Sequence, residues 1–219
     1  MITVINQSKR VITQTDLDTL TAFLEKYQNL VYKYWTKDPT QLIVEYKIII
    51  VDKFLNPAMQ RNLGYHEVVN GQPVAYIRVD AYGSRSIFGT YSKAFKFKGI
   101  QIHGERLAPG IVNVAAHELA EMLIDPFVTK LSPADSKGRA WVLEICDHTV
   151  GYFVLWSPTV NGIFPGIFPD FTLPSFYYMD GKMGQSPYSY LGVPTNPMVL
   201  IKGAYGYYRD KFGTHKLNY

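Results

Sequence analysis

A chain of 219 residues with 47% hydrophobic and 18% charged side chains is long enough to bury a substantial core and too apolar to stay disordered. Its 22 basic and 18 acidic residues leave a formal charge of +4, with the positives scattered, so nucleic acid is not an expected partner. The single cysteine, Cys146, excludes an internal disulfide and a cysteine-cluster zinc site, so any metal must be held by His, Asp or Glu.

No apolar run approaches the roughly 20 residues needed to span a bilayer. The start, Met1-Ile-Thr-Val-Ile-Asn-Gln-Ser-Lys-Arg10, lacks the basic head and apolar centre of a secretory signal. No membrane partner is expected, and the location expected is the cytoplasm, or a virion if the chain is phage-encoded. Residues 15–35 predict an amphipathic helix: Leu17, Leu20, Leu24, Tyr27, Val31 and Tyr34 recur three or four apart, and Thr15-Asp-Leu-Asp18 has capping-box spacing. The β-branched run 42–51 predicts a central strand, buried on both sides towards its end. Residues 65–69 and 73–79 flank Asn70-Gly71, a hairpin signal because both central positions of a type I′ turn need positive φ. Lys93-Ala-Phe-Lys96-Phe-Lys98 alternates like a strand with one charged face, within a strand expected over 93–102.

A second helix is predicted over 111–125, entered after Pro109-Gly110 and stopped by Pro126. From Gly151 onward the texture changes, with seven of the 13 prolines and nine of the 17 tyrosines, which predicts an irregular, aromatic-packed C-terminal part wrapped on the preceding core. No linker separates the two. The expected organisation is one domain over 1–219, with a helix and sheet core in 1–150 and an extension in 151–219.

The chemistry is concentrated in Val112-Asn-Val-Ala-Ala-His117-Glu118-Leu-Ala-Glu121-Met-Leu-Ile-Asp125-Pro126. At about 100° per residue, His117, Glu118, Glu121 and Asp125 share one helix face, opposite Leu119 and Leu123. The apolar face anchors the helix, so the polar face looks onto a cleft, water or a metal. His at i with a ligand at i+4 presents both to one ion, and a Glu at i+1 can act as general base on a water there. The metalloprotease form of this motif carries a second His where Glu121 stands, so calcium, manganese or no metal are options beside zinc. With five His and seven Glu in the chain, chance would produce His-Glu-x-x-Glu roughly 0.005 times. A third ligand is sought in Trp141-Val-Leu-Glu144-Ile-Cys146-Asp147-His148, where carboxylates interrupt an apolar run and would be costly unless paired or coordinated. As a strand, this segment puts Glu144 and His148 on one face and Asp147 on the other; as a helical turn, it lets all three converge. His66, His103 and His215 read as loop or tail residues, and Cys146 as a buried structural thiol.

The helix with Ala116-His117-Glu118-Leu-Ala-Glu121 and Asp125-Pro126, followed by Glu144-Ile-Cys-Asp147, resembles a set of zincin-like proteins whose pattern pairs a His-Glu-x-x-Glu helix with a downstream Glu-x-x-Asp segment. Ala116 stands where that set usually has Ser. The plant EXORDIUM (phosphate-induced) proteins carry a similar pair. The likeness is closer to bacterial and phage-borne proteins, in which Leu63-Gly64-Tyr65-His66, Asp170-Phe-Thr-Leu-Pro174-Ser-Phe176 and Tyr190-Leu-Gly192 also have counterparts. The resemblance implies an α+β, zincin-like fold with His117 and Glu121 as zinc ligands, Glu118 as base, and Glu144 or Asp147 completing the shell.

Two functions are therefore expected of this chain. One is a zinc-dependent, peptidase-like hydrolase acting on a peptide or protein substrate. The other is a non-catalytic structural or interaction protein, such as a virion component that binds other virion proteins. The aromatic C-terminal region would serve either as a groove wall or as a contact between copies of the chain.

Overall fold

The computed structural model describes residues 1–35, 45–81, 87–91, 107–155, 166–178 and 186–219. The Lys93 to Lys98 run, the strand expected over 93–102, His103 and the first residues of the strand expected over 42–51 lie outside them. Strand β1 (Ile2–Asn6) leads to helix α1 (Gln14–Val31), followed by β2 (Tyr46–Val51) and the hairpin of β3 (Gly64–Val69) and β4 (Gln72–Arg78). Short strands β5 (Thr90–Tyr91) and β6 (Leu107–Ala108) pair antiparallel ahead of helix α2 (Ile111–Ile124). Then come β7 (Ala140–Trp141), a 3-10 turn over Asp147–Thr149, β8 (Phe153–Leu155), β9 (Ile167–Pro169), and a closing hairpin of β10 (Tyr205–Asp210) and β11 (Gly213–Asn218). No helix among the described residues is long and apolar enough to cross a membrane.

The protein is α+β, with a four-stranded mixed sheet in the order β1-β2-β4-β3. The first three strands run parallel and β3 closes the edge antiparallel to β4. Asn70 and Gly71 have φ of 51° and 77°, so the Asn-Gly turn takes the left-handed conformation its residues favour. β2 alternates, with Tyr46, Ile48 and Ile50 buried and Lys47, Ile49 and Val51 half-buried. One face of the sheet is thus packed against helices and the other is partly open, which corrects the expectation of two-sided burial.

Helix α1 starts one residue before and ends four residues before the expected 15–35, with its N-cap two residues ahead of Thr15. Thr13 is the N-cap, its hydroxyl accepting from the Asp16 N–H while the Asp16 carboxylate accepts from the Thr13 N–H. Thr13-x-x-Asp16 and Thr15-x-x-Asp18 have the same spacing, and the apolar stripe tolerates either start. Leu20, Phe23, Leu24 and Tyr27 are fully buried, each stabilising the fold by about 1.5–3 kcal/mol relative to exposure. Tyr34, expected on this face, lies past the helix and is 44% exposed.

The C-terminal part packs on α1 through aromatic rings. Phe168 stacks on Tyr27 with centroids 5.0 Å apart, and its edge meets Phe23. Tyr27 donates its hydroxyl to the Pro169 carbonyl at 2.9 Å, and Trp35 donates its indole N–H to the Thr172 carbonyl at 2.8 Å. Residues of both parts therefore share one hydrophobic cluster. The expectation of an irregular extension misses the β10–β11 hairpin, in which Tyr205↔Asn218, Tyr207↔Lys216 and Arg209↔Thr214 are paired. β10 also pairs with β7, Tyr208 opposite Trp141, which carries the hairpin back to the core.

Asp170 is fully buried beside this junction and accepts the Leu191 N–H at 3.0 Å. Burial pushes its carboxyl up to about 7, against the lowering effect of hydrogen bonds from Ser189 and the backbone. The folded chain keeps a proton there that the unfolded chain releases near pH 4, so this group's contribution is favourable at low pH and declines as pH rises to about 7. Asp170→Asn removes that decline. Urea unfolding at several pH values is expected to show the variant gaining on the wild type by up to a few kcal/mol across this window, with a constant difference above it. A difference independent of pH would contradict the assignment.

Candidate metal centre

Helix α2 starts at Gly110, which caps it without a side-chain hydrogen bond, and ends where Asp125 leaves helical geometry (φ −130°, ψ 67°) ahead of Pro126. It is buried along nearly its whole length, between the sheet on one side, α1 on another and β9 on a third. Its polar face opens on a cavity of about 310 Å³ lined by His66, His117, Glu118, Glu121, Glu144 and Asp147 among others. A second cavity of about 270 Å³ shares His117, Glu118, Gly64, Asn62 and Tyr205 with the first, so the two form one cleft across the helix.

His117 Nε2 lies 3.1 Å from Glu121 Oε1, one helical turn on, and 3.1 Å from Asp147 Oδ1. The Asp147 contact has hydrogen-bond geometry, whereas Glu121 Oε1 has no hydrogen-bond partner although Glu121 is only 3% exposed. The segment that carries Glu144 and Asp147 is neither all strand nor all helix. It is extended through Trp141 and Val142, then turns into 3-10 geometry at Asp147. Glu144 and Asp147 converge on the cleft and His148 does not. His148 is buried among Trp141, Phe176 and Tyr177, and burial drives its pKa down to about 4, so the ring is neutral at neutral pH. Asp125, expected on the same face, caps the following turn, accepting the N–H groups of Thr129 and Lys130 at 2.9 Å each.

His66 corrects the sequence reading. Its place next to an Asn-Gly hairpin suggested a satisfied loop residue, but it lies on β3 with Nδ1 3.1 Å from Glu118 Oε2 and 3.8 Å from Glu121 Oε2. The approach depends on Gly64, since a Cβ there would stand 2.6 Å from Val114 Cγ1 and 2.9 Å from Glu118 Oε1. The Leu63-Gly64-Tyr65-His66 motif was the available signal, with Gly64 admitting the helix and His66 one step along on the same face. Tyr205, not among the expected site residues, reaches the cleft from the closing hairpin and lies against Asp147. Cys146 is a fully buried thiol as expected, but its Sγ comes within 4.8 Å of the ligand atoms of His117 and Glu121. Burial holds its pKa well above the ordinary range, which keeps it a protonated thiol packed beneath the site.

The electrostatics are those of an acid cluster short of positive charge. Glu118, Glu121, Glu144 and Asp147 are each less than one-tenth exposed. Among the described residues, His66 and His117 are the cationic groups within ion-pair distance of these four. Burial raises Glu121 well above the carboxylate range, with Glu144 and Asp147 adding to the effect and His117 opposing it. Burial likewise pushes Glu144 up to about 7, against the nearby His66 charge. Burial disfavours the charged rings, but Glu121 and Asp147 outweigh it at His117, and Glu118 and Glu144 do so at His66, raising both.

This donor set suits a divalent cation. Two donors about 2.0–2.2 Å from one zinc stand roughly 3.3–3.6 Å apart in a tetrahedron and about 2.8–3.1 Å apart in an octahedron. The two 3.1 Å separations at His117 match the octahedral spacing and fall short of the tetrahedral one, Glu121 Oε1 is an acceptor without a donor, and among the described residues the third ligand atom within 4.8 Å of those of His117 and Glu121 is Cys146 Sγ. No protein-family model, no curated protein and no solved structure matches this chain.

Gly64→Ala tests the geometry of the approach. The added methyl group must displace Val114 or Glu118, so the variant is expected to lose about 1–3 kcal/mol of stability in urea unfolding and to bind divalent metal more weakly. Wild-type stability and metal affinity in Gly64→Ala would show that β3 and α2 are not held together at this point.

Proposed function

We propose that this chain is a zincin-like, metal-dependent hydrolase acting on peptide-like bonds. The observation that carries the reading is the meeting of His117 Nε2 with Glu121 Oε1 and Asp147 Oδ1, at 3.1 Å each, on the floor of an open cleft. His117, Glu121 and Asp147 would hold the ion, with Glu144 behind them. Zinc is the reading for one imidazole and two carboxylates, and bound there it would supply Lewis acidity toward a substrate carbonyl.

The chain's own groups have separable tasks. Glu118, adjacent to His117 on the same helix face, takes a proton from the attacking water and returns it to the leaving amine. His66, hydrogen-bonded to Glu118 at 3.1 Å, keeps that carboxylate turned toward the cleft. Tyr205, Tyr207 and Arg209 of β10 wall the cleft above the helix and orient the substrate. The aromatic residues of the C-terminal part that are most deeply buried, Phe168, Phe171, Phe176 and Tyr177, serve the core instead.

Protein purified without chelator is expected to contain zinc, which His117→Ala and Asp147→Asn lose and Glu118→Gln retains at the His117 position. Hydrolysis of a fluorogenic peptide library should fall by at least 10²-fold in Glu118→Gln. Metal-free wild-type protein of normal stability, even after incubation with zinc, would sink the enzyme reading and favour the structural one, in which the chain serves as a virion or other assembly component.

A further inference from the structure

The two oxygens of Glu121 face different imidazoles. Oε1 lies 3.1 Å from His117 Nε2, on the Asp147 side, and Oε2 lies 3.8 Å from His66 Nδ1, on the Glu118 side. The donor atoms of His66, Glu118 and Glu121 all fall within 4.8 Å of one another, forming a second ligand group that overlaps the first only at Glu121. Glu144 lines the same cavity and lies near enough to His66 to be acted on by its charge. Each half of the cluster also holds a buried polar atom without a hydrogen-bond partner, Glu121 Oε1 on the His117 side and Nε2 of His66 in the second group.

Buried carboxylates are costly unless compensated, and each group of converging donor atoms offers one place where a divalent cation can supply that compensation.

We propose that the centre takes two divalent cations that share Glu121, the first on His117, Glu121 and Asp147 and the second on His66, Glu118 and Glu121. The proposal rests on the metal-hydrolase reading for its first ion and adds the second from residues that reading leaves otherwise engaged. Because Glu118 is both the proposed base and a ligand of the second ion, filling the second position stops its proton transfer. The singly loaded protein is then the active form, and excess cation switches it off.

The test is zinc stoichiometry and affinity by equilibrium dialysis and titration calorimetry on the metal-stripped full chain. Wild type should bind two equivalents, the second more weakly. His66→Gln and Glu118→Gln should each keep one equivalent and weaken the second at least tenfold. His66→Asn provides a second probe if His66→Gln fails to fold by circular dichroism, and zinc-edge anomalous scattering from wild-type crystals should give a peak beside each histidine. One equivalent at saturating zinc, unchanged in the His66 variants, would overturn the second site and leave the hydrolase reading standing. No zinc at all would overturn both. Peptide hydrolysis that rises with the first equivalent and falls with the second supports the proposal, and hydrolysis indifferent to the second refutes the switch.

Discussion

Glu121 is the residue on which the arrangement turns. Its carboxylate is 3% exposed and stands between two imidazoles contributed by different elements, His117 on its own helix and His66 on the edge strand. A carboxylate so placed cannot remain both ionised and uncompensated, because the interior offers little of the solvation that water provides. Around it, Glu118, Glu144 and Asp147 deepen the same requirement. The surrounding structure brings positive charge to this point where β3 approaches α2 closely enough for His66 to contribute, while the segment leading out of β7 turns to set Asp147 beside His117.

That reading explains why the elements nearest the site are the least regular. β7 has two residues and leads through residues 142–146 into a 3-10 turn at Asp147, a poor way to build a sheet but one that leaves Glu144 and Asp147 both lining the cleft. The apolar half of α2 pays the cost. Ile111, Val112, Ala115, Leu119 and Ala120 are fully buried, so the helix is anchored over its length and the polar face is held in place by packing rather than by its own hydrogen bonds.

Much of this was legible in the sequence wherever the signal was local. The helix 111–125 was bracketed by Pro109-Gly110 and Pro126, and its face of His117, Glu118 and Glu121 followed from helical spacing alone. The Asn70-Gly71 hairpin was legible because few dipeptides accept two successive positive φ values. His66 was not, since its partner is 52 positions away and nothing in a linear pattern says which face of an edge strand meets which helix. The choice between Glu144 and Asp147 also stayed open for a physical reason, as the segment changes conformation between them and neither strand nor helix periodicity applies. The closing hairpin was hidden by its tyrosines and glycines, whose alternation becomes visible only once β7 supplies a partner. The start of α1 was not fixed by the Thr15 box, because Thr13-x-x-Asp16 has the same spacing and is the box that forms.

The β10–β11 hairpin forms the upper wall of the cleft, yet it is hydrogen-bonded to the strand that runs directly into Glu144 and Asp147, with Tyr208 opposite Trp141. Gly206 lies so close to His148 Nε2 and Trp141 that a Cβ there would stand within 3 Å of both. Wall and ligand segment are therefore one mechanical unit. The width of the cleft and the spacing of the carboxylates below it are therefore set by the same pairing of β10 with β7 rather than independently.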